Sequence, residues 1–111
     1  MTTKELIENI DLKKLSQFDH REINGVFVSD MLSDVMAGAK SGNLWVTVQT
    51  HKSIVPAANL VDISAIIITS DKEVSQDTID LATKYNIAIL STELATFELV
   101  GKLYGLGLVT K

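Results

Sequence analysis

Cysteine is absent from the 111-residue chain. That excludes a disulfide framework, a thiol nucleophile and a cysteine zinc site, and it suits a reducing compartment. Histidine is scarce: His20 and His51 stand alone, with no histidine or cysteine companion at metal-ligand spacing. A basic excess is missing too, since net charge is −4 and the cations are scattered singly apart from Lys13-Lys14. Nucleic-acid binders usually carry a basic patch, so no nucleic-acid partner is expected. Long hydrophobic runs are lacking; Ala65–Ile68 is strand-sized, far short of the roughly 20 residues of a membrane span. The opening Met1-Thr2-Thr3-Lys4-Glu5 has no apolar signal-peptide run, and a cytoplasmic protein is the expectation.

Catalytic templates are missing as well. Gly38-Ala39-Lys40-Ser41 imitates the end of a phosphate-binding loop, but Ala39 and Asp34 occupy the positions that need glycine. No Gly-x-Ser-x-Gly elbow occurs. Asp30 and Asp34, one helical turn apart, read as exposed acids rather than a magnesium site. No cofactor or metal is expected.

What is present is a chain 46% apolar whose hydrophobic period switches repeatedly, with no repeat, linker or domain boundary. One domain over residues 1–111 is expected: an α/β domain with a mostly parallel sheet of about four to five strands flanked by helices. Thr3 is positioned to cap a short helix with Leu6, Ile7 and Ile10 on one face. Asp11 to Ser16 reads as a short strand centred on Leu15, with continuation of the helix as the alternative, and residues 17–21 read as a loop. Ile23 to Val28 is a strand, followed by a helix capped by Ser29-Asp30 that buries Met31, Leu32, Val35, Met36 and Ala39. Gly42-Asn43 makes a turn. Leu44 to Gln49 alternates and reads as half-dry, because Trp45, Thr47 and Gln49 share its more polar face. Pro56 fits the first turn of a helix starting near Ser53. Ala65–Ile68 reads as a central strand covered on both faces. Ser75 caps the next helix, Val74 and Ile79 form a staple, and Asn86 ends it left-handed. Ile87 to Leu90 is a buried strand. Thr92 then caps a last helix expected to turn Leu94, Phe97, Val100, Gly101 and Tyr104 inward, before Gly105 and Gly107 break it.

Three strands run into a hydroxyl followed by an acid: Ser29-Asp30, Ser70-Asp71 and Thr92-Glu93. Helix capping explains such pairs without invoking a ligand. The strand ending at Gln49 differs, running into Thr50-His51-Lys52-Ser53, where cation-capable side chains replace acids. Beside a helix N-terminus they would favour an anion; the plain alternative is a solvated turn. In open parallel sheets ligands bind beyond the carboxyl ends of the strands. The candidate ligand residues are therefore Thr50, His51, Lys52, Thr69, Ser70, Ser91 and Thr92.

Gly25-Val26-Phe27-Val28-Ser29-Asp30-Met31-Leu32, Leu44-Trp45-Val46-Thr47 and Ala65-Ile66-Ile67-Ile68-Thr69 together resemble the DRTGG domain. Ile89-Leu90-Ser91-Thr92 followed by Thr96-Phe97-Glu98 extends the resemblance to roughly residues 3–104. It implies an α/β domain related to the N-terminal domain of HPr kinase/phosphorylase. Such domains usually accompany CBS domains or phosphotransacetylase-like chains, where they are regulatory and tend to pair. The family pattern sets Asp-Arg where His51-Lys52 stand and Gly-Gly where Ser70-Asp71 stand. Lys52 keeps the charge of arginine but not its planar fork. The kinase domain of HPr kinase/phosphorylase has no counterpart.

The leading functional expectation is a non-catalytic regulatory or ligand-sensing module acting on a partner enzyme or CBS-domain protein, binding an anionic metabolite or nucleotide. The alternative is an assembly subunit that works by dimerisation or docking; the remote one is a small enzyme using His51. A homodimer is expected from the apolar composition and from Leu106-Gly107-Leu108-Val109, which follows the last helix with nothing after it to cover it.

Overall fold

Four strands rich in β-branched and aliphatic residues, β2 (Gly25–Val28), β3 (Asn43–Thr47), β4 (Ala65–Ile68) and β5 (Ile89–Ser91), pair in parallel in that order. A two-residue strand, β1 (Lys13–Lys14), closes the other edge antiparallel to β5. The computed structural model describes residues 1–109. The helices are α1 (Thr3–Asn9), α2 (Leu32–Gly38), α3 (Ile54–Val61), α4 (Gln76–Lys84) and α5 (Thr96–Gly105). This is the mostly parallel α/β architecture expected from the alternating periods.

Strand side chains alternate between faces, and each face has its own core. Leu44, Val46, Ala65, Ile67 and Leu90 meet Leu6 and Ile10 at α1 and Leu99 and Leu103 of α5. Trp45, Ile66, Ile68 and Ile89 meet Val35 of α2, Ile54, Val55 and Ala58 of α3, and Ala82 of α4. The crossovers α2, α3 and α4 thus share one face, while α5 and α1 cover the other.

Several local expectations change. Thr2, not Thr3, caps α1: it forms a reciprocal box with Glu5, while Thr3 is buried and its hydroxyl bonds His20 Nδ1 at 2.8 Å. Strand β3 is buried on both faces rather than half-dry. Its polar groups are satisfied internally: Trp45 Nε1 donates to the Ser29 carbonyl (2.8 Å) and Thr47 Oγ1 to Asp30 Oδ1 (2.9 Å). Met31 and Met36 are exposed, and α2 buries only Val35 fully. On α5 the inward residues are Leu99 and Leu103, with Phe97 and Tyr104 turned out. The C-terminal run does not stay uncovered, for Leu108 is buried and Leu106 half-buried against the α1–α5 core. Val109, by contrast, stays exposed.

At the amino edge, Asp62 ends α3 in the left-handed region (φ 64°) and bonds Arg21 Nη2 at 3.0 Å. The Ser41 hydroxyl, with Arg21 as the lesser contributor, holds the Asp62 carboxyl below the usual carboxylate range. A carboxyl whose pKa is lowered by folding stabilises the fold above its unfolded pKa and loses that contribution as pH falls through the folded value. Asp62→Asn should therefore lower the melting temperature at neutral pH, by at most about 5 °C because exposed pairs are weak. Melting curves of both proteins should converge as pH drops through 3.8 and below. A gap that stays constant with pH would show that the charge is not involved.

Candidate functional site

The parallel strands end level: Val28 pairs with Val46, Thr47 with Ile68, and Ile68 with Ser91. Asp30, expected to cap α2, instead reaches across to β3 and accepts from the Val48 N–H (3.0 Å) as well as Thr47. Helix α2 begins later, behind Met31, with no side-chain cap. Thr92 likewise caps no helix. Its hydroxyl accepts from the Leu94 N–H at 3.1 Å within a short turn, and α5 starts after Ala95.

Helix α4 lies on one face of the sheet and α5 on the other, so the ends of β4 and β5 flank the point where the connections change side. Ligands commonly enter an open α/β sheet at such a point. Here the chain fills it with its own backbone. The Ser70 N–H donates to the Leu94 carbonyl (2.8 Å) and the Asp71 N–H to the Thr92 carbonyl (2.9 Å). The hydroxyls of Thr69 and Thr96 bond each other at 2.7 Å, and Thr69 is fully buried. Ser70 and Asp71 both sit at left-handed φ, 66° and 52°, a region glycine enters without steric cost. The Gly-Gly pair that the resemblance implies there suits this turn.

This ridge divides the candidate residues. Ser91 and Thr92 line a hollow of about 520 Å³ shared with Asp11, Lys13, Asp71 and Lys102. Thr50, His51 and Lys52 lie on the other side, in adjoining shallow hollows of about 500 and 430 Å³ between α3 and α4. Thr69 and Ser70 line neither.

The α3–α4 hollow is built by short local bonds. Ser75 caps α4 by accepting from the Thr78 N–H, and Thr78 Oγ1 donates to the Thr50 carbonyl at 3.1 Å. The strand-end loop is thereby tied to α4. In the next turn the Ser53 N–H donates to His51 Nδ1 at 3.1 Å, with Ser53 Oγ also 2.9 Å away. Because Nδ1 accepts from the Ser53 N–H, the ring proton sits on Nε2, which is left as an N–H donor. Helix α4 adds groups that the strand-end pattern did not predict: Asp77, Asp80, Leu81 and Lys84 line the hollow opposite His51, Lys52 and Pro56. Counted from Asp77, residues 80, 81 and 84 fall three, four and seven positions on, which is the signal that they share one helix face. The hollow is therefore of mixed sign, with Lys52 and Lys84 set against Asp77 and Asp80. Among the described residues no group of three or more His, Cys, Asp or Glu is placed to hold a metal ion. Glu5 and Asp62, whose carboxyls the fold holds below their ordinary range, line none of these hollows.

The DRTGG domain profile matches residues 5–106, nearly the whole chain. The chain belongs to the DRTGG domain family. The family anticipated from the segments at 25–32, 44–47 and 65–69 is thus the one shown. Among solved structures, this DRTGG domain is similar to the CBS and DRTGG domains of the regulatory region of Clostridium perfringens pyrophosphatase, complexed with its activator diadenosine tetraphosphate. The two share 17% identity and a TM-score of 0.69 over 91% of this chain, which establishes a common fold. The match spans 45% of that neighbour, less than half its length. No curated protein sequence matches the chain. No helix among the described residues is long and apolar enough to cross a membrane.

Proposed function

We propose that this DRTGG domain is a non-catalytic regulatory module of the cytoplasm that binds a nucleotide or similar phosphorylated metabolite in the α3–α4 hollow and acts on a partner protein. A CBS-domain protein or an enzyme it controls fits that role. The observation that carries the reading is the mixed lining of the hollow. Lys52, Lys84 and the Nε2–H of His51 offer charge and donors to phosphate oxygens. Asp77 and Asp80 accept from hydroxyl or amine groups, and Pro56 and Leu81 supply apolar surface for a ring. Inorganic phosphate would meet the carboxylates unassisted. A molecule that joins a phosphate to a sugar and a base satisfies all three kinds of group. The family and the nucleotide-bound regulatory neighbour support the same class of ligand. Thr50 belongs to the site through its tie to Thr78, while Thr69 and Ser70 shape the ridge beside it. Ser91 and Thr92, across the ridge, line a separate hollow to which this reading assigns no ligand.

A non-catalytic role is supported by the incomplete phosphate loop at Gly38–Ser41 and by His51, whose Nδ1 is engaged by Ser53. The reading is tested by thermal shift across nucleotides, phosphorylated metabolites and inorganic phosphate. A ligand at 100 times its dissociation constant stabilises the fold by ~2.7 kcal/mol, roughly 10 °C or more for a domain of this size. Nucleotides should raise the melting temperature and phosphate alone should not. A flat response across the whole panel would sink the ligand reading.

A second reading, an assembly subunit working as a homodimer, is favoured by the outer face of α5. That face carries two exposed aromatic rings.

A further inference from the structure

The α3–α4 hollow does not end at Pro56 and Leu81. Both residues also line a further hollow of about 450 Å³, walled by Asn59, Leu60 and Tyr85. Residues 56, 59 and 60 lie three and four positions apart on α3, and Leu81 and Tyr85 four apart at the end of α4, so each set looks into the groove from its own side. The two helices run in the same direction, because each carries the chain between neighbouring parallel strands. The groove therefore has a charged mouth beside the strand ends and an apolar end toward the C-termini of the helices. At 1.5 Å per residue, Asp77 and Tyr85 stand about 12 Å apart along α4. Leu60 is 71% exposed and Tyr85 47%. Single exposed apolar residues are ordinary, but these two flank one hollow that is continuous with the charged lining. Lys84 Nζ, which lines the charged part, lies 5.8 Å from the centroid of the Tyr85 ring. Charge and aromatic surface thus adjoin.

We infer that the apolar end is the base subsite of the nucleotide: a purine stacks on Tyr85 between Leu60 and Leu81, while its phosphates run back to Lys84, Lys52 and His51. The inference rests on the nucleotide reading above and fixes which way round the ligand lies and which residues choose its base. The reverse orientation would set phosphate charge against Leu60 and Tyr85 and turn the base toward Lys52. The exposed Asn59 amide has a donor and an acceptor side by side, the pattern that pairs with the polar edge of a base. Every base has a π-face to stack. Selection at such a wall therefore follows ring area, and the two fused rings of a purine cover more of Tyr85 and Leu60 than a single ring does.

Calorimetric titration of the full chain with ATP and with CTP tests it, with ligand-free melting curves as the control for folding. The parent should bind ATP more tightly than CTP. Tyr85→Ala should weaken ATP binding about tenfold and narrow its margin over CTP, whereas Tyr85→Phe keeps both the affinity and the preference. Leu60→Ala, on the other helix, should act in the same direction as Tyr85→Ala if that variant melts too early to titrate. A merely structural role for Tyr85 would weaken ATP and CTP alike. In the parent, ATP should also move the amide resonances of residues 59, 60 and 85. A parent that binds neither nucleotide overturns both the nucleotide reading and this subsite. ATP binding that Lys52→Glu abolishes but Tyr85→Ala and Leu60→Ala leave unchanged overturns the subsite alone, as do equal losses for the two nucleotides or a parent that prefers CTP.

Discussion

Trp45→Ala is expected to destabilise the fold by about 3–5 kcal/mol, in the range for removing a buried aromatic side chain. Domains of this kind hold only about 5–15 kcal/mol in total, so the variant should be partly unfolded at moderate temperature. Trp45 is fully buried in the core beneath α2 and α3, on a strand with a paired neighbour on each side. Its indole N–H also holds the Ser29 carbonyl at 2.8 Å, fixing the exit from β2. Trp45→Phe separates the two contributions. It keeps most of the apolar volume and leaves that carbonyl without its donor, at a cost of about 1–3 kcal/mol. Urea unfolding followed by circular dichroism gives both values, and the parent's single tryptophan reports its own transition by fluorescence. Equal losses for Ala and Phe would mean that the hydrogen bond, not the ring volume, dominates at this position.

The second large effect is expected at Gly42, on the edge of the sheet opposite the candidate site. Its φ is +86°, and a Cβ there would lie 2.5 Å from Asn24 Nδ2. That amide is already committed, donating to the Ser41 carbonyl (2.8 Å) and accepting from Asn43 Nδ2 (3.0 Å). Gly42→Ala must strain the backbone, at roughly 1–2 kcal/mol, and displace Asn24 from bonds worth about 1 kcal/mol each. A total loss of about 2–4 kcal/mol follows. A double-mutant cycle with Asn24→Ala locates the cause, because two residues in conflict are not additive. The pair should cost less than the sum of the single changes. Strict additivity would acquit Asn24 and leave backbone strain as the whole effect.

The second half of the chain was legible because its signals are local. Pro56 fits only a first turn, Ala65–Ile68 is too apolar for an outer strand, and Ser75 and Asn86 bracket α4 as cap and left-handed stop. The misreadings share a different cause, in that tertiary partners overrode local preference. Asp30 and Thr92 have the chemistry of caps, but neighbouring strands and turns claimed them first. Phe97 and Tyr104, the two aromatic residues of α5, read as inward from the sequence, yet both are exposed. Leu99 and Leu103, four residues apart, define the true buried stripe. Sequence placed Thr50, His51 and Lys52 at the carboxyl edge, where the structure has them. It could not show that hydrogen bonds between the β4 and β5 loops divide that edge, nor that α4 brings Asp77, Asp80 and Lys84 across from His51.

The central claim is that a phosphorylated ligand sits between α3 and α4, and amide chemical-shift mapping with ATP tests it most directly. Titrating the isotope-labelled chain should move the resonances of residues 50–53 and of the α4 face around Asp77, Asp80 and Lys84, leaving Asp11, Lys13 and residues 91–94 in place. Lys52→Glu, at an exposed turn position with no core contact, should remove those shifts while melting at the parent's temperature. Perturbations gathered around Ser91 and Thr92, or shifts of equal size and affinity in Lys52→Glu, would contradict the account.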